Sequence, residues 1–160
     1  MPTAGKKRKE PVLIHSRALS TPPHIVIGID PGMTTGWAQF TDGVPTGMDQ
    51  IYGLDALTDF VEEMTKPDLI VMEKYALWKW LALQQSGSKM EVAQAEGIVK
   101  SYARRNRLEL VEQAPNILGT AKLWTKVDHA KGSHDFSHWK SAYNHAAYYL
   151  ITHNMMDIVT

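Results

Sequence analysis

Apolar residues in the first half of the chain gather mostly into short β-branched runs separated by turn residues, with one stretch at helical spacing. Ile25-Val26-Ile27-Gly28-Ile29-Asp30 reads as a buried strand that ends in a carboxylate, and Pro31-Gly32 forces a turn after it. Thr35 to Phe40 returns as a second strand, Asp42-Gly43 is a turn signal, and Met48 to Tyr52 offers a weaker third strand. These three predict an antiparallel meander. Leu54, Leu57, Phe60, Val61 and Met64 then recur at helical spacing until Pro67, and Asp68-Leu69-Ile70-Val71-Met72-Glu73 is another apolar strand ending in an acid.

Signals conflict between Ala76 and Gly87, which read as a connection. Val92, Ala95, Ile98, Val99, Tyr102 and Ala103 form a helical stripe, with Gly97 expected as a close-packing point inside it. Leu108 to Glu112 is a short strand, Pro115 to Trp124 is compatible with a helix, and residues 125–136 read as a loop. Ala142, His145, Ala146, Tyr149 and Leu150 place a closing helix between His138 and Met155. The order β-β-β-α-β-α-β-α-α predicts an α/β fold, a mixed sheet covered by helices. No internal repeat is present.

A length of 160 residues suits one domain of the common size of about 100–150 residues. Lys and Arg total 17 against 17 Asp and Glu, which at first argues against a polyanion partner. The balance is uneven along the chain, however. Residues 1–23 carry Lys6, Lys7, Arg8, Lys9 and Arg17 against Glu10, and end in Pro22-Pro23. They read as a flexible basic arm, leaving a net acidic domain over residues 24–160. With no cysteine, disulfides, zinc-thiolate sites and a thiol nucleophile are excluded, so a metal must use oxygen or imidazole ligands. No stretch approaches the roughly 18–20 apolar residues of a membrane span, and the basic N-terminus lacks the apolar core of a secretion signal, so a cytoplasmic protein is expected.

Asp30 and Glu73 each terminate a hydrophobic strand, and neighbouring strands of one sheet bring such ends together despite their separation in sequence. Two adjacent carboxylates suit Mg²⁺ or Mn²⁺, because like charges side by side need a cation or a proton. The alternative is that each is simply the first polar residue after a strand. The Gly28, Asp30, Gly32, Thr34-Thr35-Gly36 turn occurs in two settings: nucleotide-phosphate loops of sugar kinases and actin-like ATPases, and the metal-binding strand of ribonuclease H-like nucleases. Chain length disfavours the first, which needs two lobes.

The ordered motifs Ile27-Gly28-Ile29-Asp30-Pro31-Gly32 with Thr35-Gly36-Trp37-Ala38, then Asp68 to Glu73, the Gln94/Gly97 helix, Ala114-Pro115-Asn116 with Lys122, and His138 to Leu150 resemble the RuvC-like Holliday junction resolvases, especially small phage-type members. The resemblance covers roughly residues 24–152 and implies a ribonuclease H-like mixed β-sheet flanked by α-helices. It implies a Mg²⁺- or Mn²⁺-dependent endonuclease that cuts four-way junctions or other branched DNA as a homodimer, in the cytoplasm of a bacterial host if phage-encoded. Attack by water would leave a 3′-hydroxyl and a 5′-phosphate. Asp30 matches the first metal ligand, Glu73 the second acid, and His138 the start of the closing helix.

Three residues on, the resemblance implies an aspartate, and Ser141 stands there. A hydroxyl supplies neither the charge nor the coordination that helps hold two cations about 3.5–4 Å apart. Ser141 is compatible with an inactivating substitution, with a degenerate resolvase that still binds junctions, or with replacement by Asp135 or Asp128. His134, His138 and His145 invite a histidine-metal reading, although His145 is better read as a hydrogen-bonded core or helix-face residue, and His138, whose spacing matches the resemblance, is the candidate metal ligand, general acid or water-orienting group.

Lys100, Arg104, Arg105 and Arg107 supply four cations over eight positions, and Lys122, Lys126, Lys131 and Lys140 add others in segments expected near the catalytic edge. They read as phosphate contacts. The competing reading for the first group is a solvated helix end. Trp78-Lys79-Trp80 mixes aromatic and cationic groups that could stack on unpaired bases, with Lys79 on phosphate, or could serve as core or interface residues. The Gly97 helix is a candidate dimer surface.

Overall fold

The computed structural model of the protein describes residues 21–75, 88–128 and 137–160; Lys79 with its flanking tryptophans, Lys131, His134, Asp135 and nearly all of the basic arm lie outside them. Strand β1 (Ile25–Asp30) leads into β2 (Thr34–Thr41) and β3 (Val44–Tyr52). Helix α1 (Leu54–Glu63), strand β4 (Leu69–Glu73), helix α2 (Ser88–Arg105) and strand β5 (Glu109–Gln113) follow. A single 3₁₀ turn (Pro115–Ile117) opens α3 (Leu118–Thr125), and α4 (His138–Thr152) closes the order. This is the predicted succession. The third strand is longer than its apolar signal, because the pairing with β2 runs from Thr34 opposite Tyr52 to Thr41 opposite Val44 and carries polar residues along.

The sheet order is β3-β2-β1-β4-β5, with β1, β2 and β3 antiparallel and β1, β4 and β5 parallel. Asp42 and Gly43 both take positive φ, 51° and 76°, as a two-residue turn matched to strand twist requires. Helices cover both faces. Ile27, Ile29, Ile70 and Met72 point to one side and pack with Leu57 and Val61 of α1 and Ala95, Val99 and Tyr102 of α2. Their alternates Val26, Leu69 and Val71 point to the other and pack with Tyr143, Ala146, Ala147 and Leu150 of α4. Burial on both faces explains why β1 and β4 read as continuous apolar runs.

Two glycines set how closely α4 lies on the sheet. A Cβ at Gly28 would overlap the Ala142 carbonyl and sit 2.9 Å from the Ala146 Cβ, and one at Gly36 would overlap the backbone of His138 and Trp139. Gly97 is different. The sequence suggests a close-packing point there, but no atom lies within 4 Å of a Cβ built on it, since it faces outward on α2. The helical pattern around it arises from Ala95 and Val99 on the buried side.

The two kinds of glycine predict substitutions of opposite sign. Gly28→Ala forces α4 away from β1 and should destabilise the fold by about 2–3 kcal/mol, the upper part of the range for overpacking. Gly97→Ala fills open space in a helix and should stabilise by about 0.5–1 kcal/mol. Denaturant unfolding of both variants checks the pair, and equal effects would contradict this account of α4 seating.

Candidate active site

Parallel strands β1, β4 and β5 end at the same edge of the sheet, and their last residues are Asp30, Glu73 and Gln113. Side chains alternate along a strand, so Asp30 shares the α4 side with Val26 and Gly28, and Glu73 shares it with Leu69 and Val71. Asp30 pairs with Gly36, which pairs with Gln50; Glu73 pairs with Gln113; Asp30 and Glu73 each follow the paired residues Ile29 and Met72. A polar row thus crosses all five strands in the order Gln50, Gly36, Asp30, Glu73, Gln113.

Helix α4 answers this row from above. His138, Ser141 and His145 have spacings of three and four residues and lie on one helix face. The His138 amide donates to Gln50 Oε1 at 2.7 Å, and its ring Nδ1 lies 3.1 Å from Asp30 Oδ2. Ser141 Oγ donates to Glu73 Oε2 at 3.2 Å. His145, completely buried, places Nε2 at 2.9 Å from the same Glu73 oxygen and Nδ1 at 2.9 Å from Gln113 Oε1. Glu96, a buried acid of α2, accepts the Tyr75 amide at 2.7 Å and so ties down the chain two residues beyond Glu73.

Asp30, Glu73, His138 and Ser141 line one cavity of about 630 Å³, together with Tyr75, Pro115, Lys122 and Asp128. Burial pushes the Asp30 carboxyl above its ordinary value of 3.8; the His138 hydrogen bond opposes that rise, and the charge of Glu73 adds to it. The glycine-threonine turn after β1 is closed on itself. Buried Thr35 donates its hydroxyl to the Gly32 carbonyl at 3.0 Å, which gives that hydroxyl a local structural role.

The residues suit a hard divalent cation in part. Asp30 and Glu73 offer oxygen donors and mutual repulsion that a cation would relieve, but among the described residues no group of three or more His, Asp or Glu side chains forms a metal cage. Mg²⁺ is commonly held by one or two carboxylates with water and substrate phosphates completing its shell, so the donor set fits one such ion between Asp30 and Glu73. Ser141 gives its hydroxyl to Glu73 and adds no charge.

The sequence-identified cations divide. Lys122 lines the cavity, and Lys140 lies over the Trp139 ring, 5.8 Å from its centroid. Lys100 instead bridges Glu112 at 2.9 Å and Glu96 at 3.6 Å, the Glu112 contact chiefly raising its pKa. Arg105 pairs with Glu62. Arg104, Arg105 and Arg107 surround the end of α2 that leads into the start of β5, the sheet edge away from Asp30 and Glu73. Gln50 and Gln113 were not recognisable as site residues in the sequence. His145 is the buried, hydrogen-bonded residue expected, but its partner is the candidate acid itself.

No protein-family model and no curated protein matches the sequence. Among solved structures, Thermus thermophilus RuvC in complex with a Holliday junction substrate superposes with a TM-score of 0.61 at 16% identity, over 84% of this chain and 99% of that one. The fowlpox virus Holliday junction resolvase superposes with a TM-score of 0.53 at 12% identity, over 80% of this chain and 99% of the other. The five-stranded mixed sheet with flanking helices is therefore a ribonuclease H-like α/β fold. Within that class it shares the fold of Thermus RuvC and the fowlpox structure, as the motif order implied.

A carboxyl with a raised pKa binds its proton more firmly in the folded than in the unfolded chain. Between 3.8 and the raised value, stability therefore falls as pH rises. In buffer without divalent cations, Asp30→Asn should melt higher than the parent protein at neutral pH, with the gap closing as pH falls towards 3.8. Thermal melts across that range check this, and a gap that is constant or reversed would contradict it.

Proposed function

We propose that the protein is a Mg²⁺- or Mn²⁺-dependent endonuclease acting on four-way junctions or other branched DNA, with a role in DNA recombination or repair. The observation that carries this reading is the convergence of Asp30 and Glu73 from adjacent parallel strands beneath His138 and Ser141, at the wall of an open cavity. In this reading Asp30 and Glu73 hold the cation, which when bound supplies Lewis acidity and charge compensation at the scissile phosphate. His138 orients Asp30 and moves a proton of the attacking water. Lys122 anchors a phosphate beside the cavity, and Lys140 contacts the backbone further along α4. The fowlpox and Thermus resolvases, which share the fold, support the substrate class.

Symmetric cuts in two strands call for two related sites, so a homodimer belongs to the same proposal. A groove of about 460 Å³ between α1 and α2, lined by Leu54, Gly97, Ile98 and Ser101, supports the Gly97 helix as the contact face. A cytoplasmic setting accompanies this reading. Among the described residues no helix is long and apolar enough to cross a membrane.

Ser141 favours a second reading, a junction-binding protein that cuts poorly or not at all, because the helix offers Glu73 a hydroxyl at the position where the resemblance implies a third carboxylate. Incubation with a labelled four-way junction and Mn²⁺ separates the two. Cutting that is lost in Asp30→Asn supports the nuclease, tight binding without cutting supports the second reading, and neither binding nor cutting sinks both. Ser141→Asp should increase cutting at least tenfold, a change of about 1.4 kcal/mol in barrier height; unchanged cutting would remove Ser141 as the limiting residue. In binding assays, Lys122→Ala should weaken the junction complex and reduce its salt dependence, whereas Arg104→Ala at the far edge should leave both close to parental values.

A further inference from the structure

His145 is fully buried, yet it is one of the most polar groups in the α4 layer, surrounded by Ala142, Ala146 and Tyr149 of its own helix. A buried imidazole in such a layer must satisfy both ring nitrogens. It does so by spanning two strand ends, with Nε2 on Glu73 and Nδ1 on Gln113. An ionised glutamate only accepts, so the nitrogen facing it carries a proton and donates. The Gln113 amide can present either its oxygen or its NH₂ group, so it satisfies Nδ1 in either state of that nitrogen. Glu73 and Gln113 are themselves paired across β4 and β5, so ring, amide and carboxylate close a loop anchored on two strands and one helix. The Glu73 side chain is still 23% exposed at the cavity, so the loop holds a carboxylate that remains open to a ligand.

We propose that His145, oriented by Gln113, is a positioning residue that fixes the Glu73 carboxylate in the direction from which it shares a cation with Asp30. The clamp stands on geometry; its consequence for cation binding rests on the proposed function above. Ser141 donates to the same oxygen, so Glu73 Oε2 receives two hydrogen bonds from α4. Together they set the rotamer and leave the carboxylate's orientation little freedom. A neutral Ser141 makes this clamp more important, because no carboxylate from α4 is present at that position to restrain the ion.

The test combines a direct probe of the clamp with its effect on Mn²⁺. In the cation-free protein with isotopically labelled histidine, the His145 Nε2–H proton should appear as a protected, downfield resonance and shift in Glu73→Gln. A resonance that is absent, or indifferent to Glu73→Gln, overturns the proposal. Calorimetric titration with Mn²⁺ should then show that His145→Leu, if its melt remains cooperative, binds about tenfold more weakly, the lower end of the losses for removing a ligand's supporting partner. His145→Gln, which can place an NH₂ group near the Nε2 position, should recover most of that loss.

Parental affinity in a folded His145→Leu protein, or no recovery in His145→Gln, overturns the proposal. If His145→Leu does not fold, Gln113→Leu serves in its place, with weaker binding expected and parental binding contradictory. A parental protein that binds no Mn²⁺ sinks the cation reading, and the proposed role in cation binding with it. The resonance then reports whether the geometric clamp exists on its own.

Discussion

Helix α4 lies directly on the backbone of β1 and β2, and the candidate site depends on that approach. Gly28 and Gly36 remove the two Cβ atoms that would hold the helix off, so Ala142 settles over one and the His138 turn over the other. Close packing has a directional consequence. With the helix seated at two points, its face of residues 138, 141 and 145 is held in register with a row of strand-end side chains from Gln50 to Gln113. A wider separation would keep the same residues in the sequence and place the hydrogen bonds beyond reach.

That register also answers an electrostatic problem. Asp30 lies mostly buried at a strand end, and both that burial and the charge of Glu73 on the adjacent strand disfavour its ionisation. The helix supplies an imidazole to each, His138 to Asp30 and His145 to Glu73, and a hydroxyl to the second. The two contacts have different accessibility. His138 is partly open at the cavity wall, where it can meet a ligand, while His145 is sealed in the core and can act only through Glu73. One helix face thus carries a group suited to chemistry and a group suited to holding another group still.

Much of the architecture was legible in the sequence because the signals were local. β-Branched runs ending at Asp30 and Glu73, the helical spacing of Leu57 and Val61, and the small residues of α4 each report burial through neighbours a few positions away. Gln50 and Gln113 carry no such signal. Each is an amide at the end of a strand, and its importance follows from a pairing register and from a helix that begins 88 and 25 positions further along, respectively. The surroundings of the cation cluster were hidden for the same reason. Lys100, Arg104, Arg105 and Arg107 look like a clamp until the fold brings Glu112, Glu96 and Glu62 to two of them and turns the others to the far edge. Gly97 illustrates the reverse error, since a glycine inside a helical pattern does not itself say which way it faces.

The position of Ser141 gains meaning from this setting. It is almost wholly buried, its hydroxyl is committed to Glu73, and it sits between the two imidazole contacts on the same helix face. A buried hydroxyl needs a hydrogen-bond partner, and this one takes the carboxylate that His145 also holds. The helix therefore has an internally consistent polar face with the neutral residue in place. An aspartate at 141 would bring a third carboxylate against Glu73, and without a cation that like-charge contact would weaken the seating of α4 on which the row depends. The same substitution that adds a candidate ligand thus increases the fold's dependence on the ion.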